Sequence, residues 1–236
     1  MRLYILTICP AYFSSFLASH VVRRAARLGC GEVEVIDLRQ FADGSFRQVD
    51  DSPFGGGRGL VLRAEPIWRG IQFAKEQAGP DGCHVIGLTP AGETYHQQKA
   101  HALLGYSHIA LVCGHYEGMD ARVSRYFDEE ISIGDYILTG GELPAQVIAD
   151  SLLRLLPGVL RDGSAEEESF ESGMLEYPQY TQPVLWRGQR VPDVLLSGDH
   201  GKIRAYRHAE AERVTREKRP DLLDECKIEH GTGECE

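Results

Sequence analysis

No stretch of the 236-residue chain approaches the ~18 uninterrupted apolar residues of a membrane span, so no membrane helix is expected. The opening MRLYILTICP reads as a strand, without a cationic region and cleavage site, and a cytoplasmic chain is the expectation. Six cysteines occur, Cys9, Cys30, Cys83, Cys113, Cys226 and Cys235, but none forms a C-x-x-C pair. That spacing writes neither a zinc ribbon nor a dithiol redox centre; no metal site is expected, and separate reduced thiols are the default. Cys9-Pro10, at the end of an apolar strand, reads as a packed core cysteine rather than a nucleophile. Cations are also short: 25 Lys and Arg stand against 35 Asp and Glu, a net charge of −10 that as a whole repels a polyanion.

What is present is an ordinary globular composition, 42% hydrophobic and 25% charged. At ~100 to 200 residues per domain, the length allows one large domain or a larger and a smaller one. Strand-length apolar runs recur at Leu3 to Ile8, Val33 to Leu38, Val85 to Leu88, Ile109 to Val112 and Ile131 to Leu138. Helical-length segments such as Phe13 to Leu28 and Pro66 to Ala78 separate them, which predicts an α/β fold with a parallel sheet. A helix with Pro144 near its first turn carries Ile148, Leu152, Leu155 and Leu156 at helical spacing until Pro157-Gly158 stops it. The small, polar and acidic stretch Arg161 to Gly173 then predicts a flexible linker. Domains are accordingly expected at 1–160 and 176–236, joined by a linker at 161–175, the second domain being small and mainly helical. Charge is uneven along the chain. Lys202 to Arg219 holds seven basic residues, Lys202, Arg204, Arg207, Arg213, Arg216, Lys218 and Arg219, against Glu210, Glu212 and Glu217.

Glycine turns follow two predicted strands, Gly114-His115-Tyr116-Glu117-Gly118 and Gly134-Asp135-Tyr136 with Thr139-Gly140-Gly141-Glu142. Their spacing matches neither the dinucleotide fingerprint nor the Walker phosphate loop. Each alone is an ordinary tight turn. Several together, with Thr89-Pro90 ending a third strand, point to a ligand pocket at the carboxyl ends of the strands.

The motifs VCGHYEGMD and DEEISIGDYILTGGELPA, with DDSPFGGGRG upstream and VPDVLLSGDHGKIRAYR downstream, resemble those of the bacterial tRNA (guanine-N1)-methyltransferases that modify guanosine 37, members of the SPOUT superfamily. The resemblance runs from Met1 to about Leu223. It implies a SPOUT-type parallel sheet with a deep trefoil knot around S-adenosylmethionine, and two subunits paired antiparallel as a homodimer. Each site would be shared between one subunit's knot and the other's linker and C-terminal domain. General topology rules alone predict an unknotted sheet. The implied cofactor residues are Leu88, Thr89, Pro90, Gly114, Glu117, Ile133, Gly134, Asp135, Tyr136, Ile137, Leu138, Gly140 and Gly141. A magnesium requirement is implied on the same ground.

Methylating guanine at N1 removes a ring proton and puts charge on O6, so a base and a cation are the minimum. By resemblance the catalytic residues are Glu168 as base, where the family has aspartate, and Arg154 near O6. Glu166 and Glu167 would raise the pKa of Glu168 by like-charge repulsion. Without the resemblance, Glu168 reads as a solvated linker residue, Glu117 as an exposed turn residue and Arg154 as an arginine resting its stem on apolar surface. Gly57, Arg58 and Gly59 are suited to a nucleotide beside the target, and Arg204 and Arg207 to the anticodon arm of tRNA. Other departures are His115 in place of arginine, and Gln179 and Gln182 in place of histidine and arginine. They leave two alternatives open: another SPOUT RNA methyltransferase, or a noncatalytic RNA-binding relative.

Overall fold

The computed structural model describes residues 1–161, 163 and 168–223. Met1–Leu160 forms one compact unit, and a second begins at Arg161. In the first, β1 (Arg2–Thr7) leads through a 3-10 turn (Pro10–Phe13) and α1 (Ser14–Leu17) into α2 (His20–Leu28). The single helix expected over 13–28 is therefore two, because Ser19 adopts an extended conformation (ψ 157°) and restarts the helix as its N-cap. Next come β2 (Glu32–Asp37), a short antiparallel ladder of β3 (Asp50–Asp51) and β4 (Val61–Leu62), α3 (Ala64–Ala78), β5 (His84–Thr94), α4 (Gln97–Leu103), β6 (His108–Cys113), β7 (Glu129–Ser132) and α5 (Glu142–Leu155).

The five long strands form one sheet in the order β2-β1-β6-β5-β7, and every neighbouring pair is parallel. Alternation along β1 sends Leu3 and Ile5 to a core shared with α2, α4 and α5, and Tyr4 and Leu6 to a core shared with α3. Both faces are covered at the sheet centre, which is why β1 and β6 are nearly continuous apolar runs. The strand expected to reach Leu138 stops at Ser132. Gly134 takes φ 139°, a conformation side chains disfavour, and Ile137 beyond it is 80% exposed, so 133–141 is a loop.

In the second unit, β8 (Leu185–Trp186) and β9 (Gln189–Arg190) form a hairpin around Arg187-Gly188, both at positive φ. Two helices follow, α6 (Asp193–Leu196) and α7 (His200–Lys218). Asp199 caps α7 by accepting from the amides of Gly201 and Lys202. Asp162, Ser164, Ala165, Glu166 and Glu167 of the acidic run, with Cys226 and Cys235, lie outside the described residues. The part of the expected linker that is described, from Glu168 on, closes into a turn in which Phe170 N donates to Met174 O, and Leu175 N donates to the buried Thr215 Oγ1 of α7 (2.9 Å). No helix among the described residues is long and apolar enough to cross a membrane.

At the amino end of β7, Glu129 binds His84 Nε2 (2.7 Å) and Lys99 Nζ (2.9 Å), and Lys99 also holds Glu93 (2.6 Å). Burial pushes the Glu129 carboxyl up, but the hydrogen bonds from His84 and Lys99 outweigh it and hold it below the usual range. A depressed carboxyl stabilises the fold above its unfolded pKa and loses that contribution as pH falls through the folded value. Glu129→Gln is therefore expected to cost about 1.5–3 kcal/mol at neutral pH. The difference from wild type should shrink on acidification, as read by thermal melts at neutral and acid pH.

Candidate active site

Because the strands run in parallel, their carboxyl ends share one edge, and the loops leaving β5, β6 and β7 meet there. On β5 the register slips, since Leu88 and Glu93 both pair with Ile131 of β7 and residues 89–92 bulge outward. Gly92 lies hard against the β7 backbone, where a Cβ would stand 2.5 Å from the Glu130 carbonyl carbon. After β6 the chain turns back at once, with Gly118 N donating to His115 O (3.0 Å) and Tyr116 at φ 59°. The loop after β7 crosses this turn. His115 and Gly140 pair as an isolated antiparallel bridge, and Gly141 N donates to Gly114 O (2.7 Å).

These loops enclose a cleft of about 300 Å³. It is lined by Leu88, Thr89, Pro90, Gly114, Glu117, Ile133, Gly134, Tyr136, Ile137, Leu138, Gly140 and Gly141, so twelve of the thirteen expected cofactor residues face one space. Asp135 is the exception and is absent from the lining. Met119, Thr139 and Pro144 also line the cleft, as do His115 and Tyr116. Thr139 and His115 belong to glycine turns visible in the sequence. Met119 and Pro144 carry no such signal, because they reach the cleft only once the loops cross.

The glycine-rich loop is bound to the same wall. Glu117 N donates to Leu60 O (3.0 Å), Leu62 N to Gly118 O (2.9 Å) and Asp120 N to Leu62 O (2.9 Å). Gly59, at φ 85°, lies under the Glu117 side chain, and a Cβ there would be 2.5 Å from Glu117 Cγ. Gly59 thus stands beside the cleft residue Glu117, with exposed Arg58 and Gly57 preceding it in the chain.

Arg154 sits half-buried in the last turn of α5, on the helix face that also carries Leu143 (45% exposed) and Val147 (47% exposed). Glu168 is half-buried in the second unit and opens its turn, its carbonyl accepting from Glu171 N. On α7, Arg204 is exposed while Arg207 is half-buried with its guanidinium 4.7 Å from the centre of the Tyr177 ring. Cations of this segment are paired, among them Lys202 with Asp199 (3.2 Å), Arg213 with Glu210 and Glu217 (2.7 and 2.8 Å), and Arg219 with Asp221 (2.6 Å). The basic face is therefore more neutralised than the residue count suggests. Gln179 donates to Glu176.

Behind the cleft wall, Glu142 at the start of α5 is 2% exposed. Its Oε1 accepts from Thr7 Oγ1 (2.8 Å), and its Oε2 lies 3.5 Å from His115 Nδ1. Cys9, half-buried and packed against the core on the α3 side of the sheet, completes a cluster whose donor atoms lie within 4.8 Å of one another. Burial raises the Cys9 thiol pKa, and the Glu142 charge raises it further.

A parallel sheet with a glycine-walled cleft across the carboxyl ends of its strands defines the class, an α/β protein with an open cleft at one edge of its sheet. The pattern of a particular family, described as tRNA (Guanine-1)-methyltransferase TrmD, matches residues 1–225, and the chain belongs to that family. A protein of Geobacillus kaustophilus named tRNA (guanine-N(1)-)-methyltransferase is 50% identical over 227 residues, covering 95% of this chain and 92% of the relative. Proteins of the same name are 45% identical in Desulforudis audaxviator (99% and 94% covered) and 48% identical in Chloroflexus aggregans (94% and 88% covered).

Proposed function

We propose that the chain is a cytoplasmic enzyme that transfers a methyl group from S-adenosylmethionine to N1 of guanosine 37 of tRNA. The observation that carries this reading is the glycine-walled cleft with the Gly57-Arg58-Gly59 loop set beside its residue Glu117. The cleft suits the cofactor in kind. Leu88, Pro90, Ile133, Ile137 and Leu138 supply apolar walls for an adenine, and Gly114, Gly134, Gly140 and Gly141 leave the backbone open to close approach. Glu117 suits a cationic part of the ligand, and Asp135, off the lining, belongs to the same loop as Gly134 and Tyr136. The bound cofactor would supply an electrophilic methyl on a sulfonium.

The protein's own task is to hold the guanine, take its N1 proton and face the charge that develops on O6. Glu168 is the proposed proton acceptor, and Arg154 the cation facing O6. The backbone crossing at Gly114 and Gly141 supports a deep trefoil knot, since the chain passes over the β6 turn before α5 packs against β6 and β1. Leu143 and Val147, apolar and exposed beside Arg154, support a homodimer joined through this face of α5. As to magnesium, the one cluster of metal-ligand type among the described residues contains a thiol and an imidazole, a donor set that does not suit it.

The direct test is methyl transfer from labelled S-adenosylmethionine to tRNA transcripts carrying guanine or adenine at position 37. Transfer to the guanine transcript alone is expected; transfer to neither would favour a noncatalytic RNA-binding protein. For the grip on the anticodon arm, Arg204 and Arg207 are the proposed contacts. Replacing both with alanine should weaken all tRNAs alike and flatten log affinity against log salt by roughly 0.7 to 0.9 for each phosphate no longer neutralised, with cofactor affinity intact. Because Arg207 also lies over Tyr177, Arg204→Ala alone should account for most of the change in slope.

A further inference from the structure

We propose that Cys9, His115 and Glu142 form a binding site for a thiophilic divalent cation of the zinc class, behind the glycine wall of the cleft. The three residues are distant in sequence and come from the turn that follows β1, the turn after β6 and the first residue of α5. The fold brings their donor atoms within 4.8 Å of one another. Two features mark the cluster as a ligand set rather than a packing accident. Glu142 is a carboxylate almost wholly removed from solvent, and His115 Nδ1, which faces it at 3.5 Å, is buried without a hydrogen-bond partner. An orphaned buried nitrogen beside a buried charge costs free energy, and a cation bonded to both removes that cost.

The chemistry selects the ion. A thiolate and a carboxylate carry two negative charges, which neutralise a dication, and the sulfur and imidazole donors favour zinc over magnesium or calcium. Metal–ligand distances of ~2.0–2.3 Å require the donor atoms to close by about 1 Å. Cys9 can supply the motion, since it is half-buried at the N-cap of the Pro10–Phe13 turn. Thr7 Oγ1 donates to Glu142 Oε1 and so fixes the carboxylate while leaving Oε2 toward the imidazole. Three protein ligands leave a fourth position for water. On binding, the Cys9 S–H bond breaks, its proton passes to solvent and a sulfur–metal bond forms, so affinity should rise with pH. Gly140 closes the site from the cleft side, where a Cβ would meet Glu142 Oε2 and His115 Nδ1.

The test uses the full chain stripped of metal by a chelator and titrated with cobalt(II), then with zinc(II). One equivalent of cobalt should bind with a thiolate-to-metal charge-transfer absorption, and zinc should displace it. Cys9→Ser should abolish the absorption, and His115→Gln should weaken binding at least ~10-fold, while Cys30→Ser leaves both unchanged. Melting curves identify the folded variants; should Cys9→Ser fail to fold, His115→Gln carries the test. Absence of the absorption in the wild type at saturating cobalt would overturn the proposal. So would unchanged affinity in folded Cys9→Ser or His115→Gln. Neither cofactor nor tRNA is needed, so failure here leaves the methyl-transfer proposal standing.

Discussion

Glu168→Gln is expected to lower single-turnover methyl transfer by about 100-fold or more while leaving S-adenosylmethionine affinity unchanged. The amide matches the carboxylate in size but cannot take the N1 proton, so the loss belongs to the chemical step rather than to binding. The turn around it is held in part by other residues. Glu176 N donates to Ser169 Oγ (2.9 Å), and Leu175 N is held by Thr215, so the turn has anchors that do not involve the Glu168 carboxylate. Glu168→Asp separates a base from a spacer: it keeps the carboxylate and removes one methylene, and it should retain far more activity than the glutamine variant. A loss below about tenfold in Glu168→Gln, with labelled transfer and calorimetry on the same preparation, would remove Glu168 from the role of main base.

The parallel sheet was legible because strands buried on both faces must be apolar throughout, and the runs beginning at Leu3 and Ile109 fall on strands of the sheet centre. The helix through Ile148 and Leu152 was legible for the same reason, its inward positions recurring at helical spacing. The run from Ile131 misled. Its apolar residues beyond Ser132 (Ile133, Ile137 and Leu138) line a cleft and do not continue a strand, as the exposure of Ile137 shows. The break at Ser19 was missed because both halves of the segment are helical and only one backbone angle separates them. Cations could be counted in sequence but not their partners, and the pairing of Arg213 with Glu210 and Glu217, three and four residues away, follows from α7 placing all three on one face. The cluster behind the cleft was illegible in principle: Cys9, His115 and Glu142 meet through a loop crossing that no local spacing encodes.

That crossing carries the second large expectation, which separates two adjacent glycines. Gly141→Ala should reduce S-adenosylmethionine affinity by two orders of magnitude or abolish it, because the added methyl would lie 2.7 Å from Cys113 Cα and 3.0 Å from Gly114 N. Those are backbone atoms of β6 and its turn, held by the Gly141–Gly114 hydrogen bond and by strands on both sides, and they have nowhere to go. The φ of Gly141 is −78°, ordinary for alanine, so any loss comes from the close approach and not from backbone strain. At Gly140 the atoms met are the ends of the Glu142 and His115 side chains, one of them His115 Nδ1 at 2.5 Å. Side-chain ends can turn aside where backbone cannot, so Gly140→Ala should bind the cofactor more weakly than wild type but better than Gly141→Ala. Calorimetric titration of both variants, with melting curves to establish that each is folded, measures the order directly. Cofactor affinity within threefold of wild type in folded Gly141→Ala would move the binding site away from the crossing; if that variant does not fold, undiminished affinity in folded Gly140→Ala would do the same.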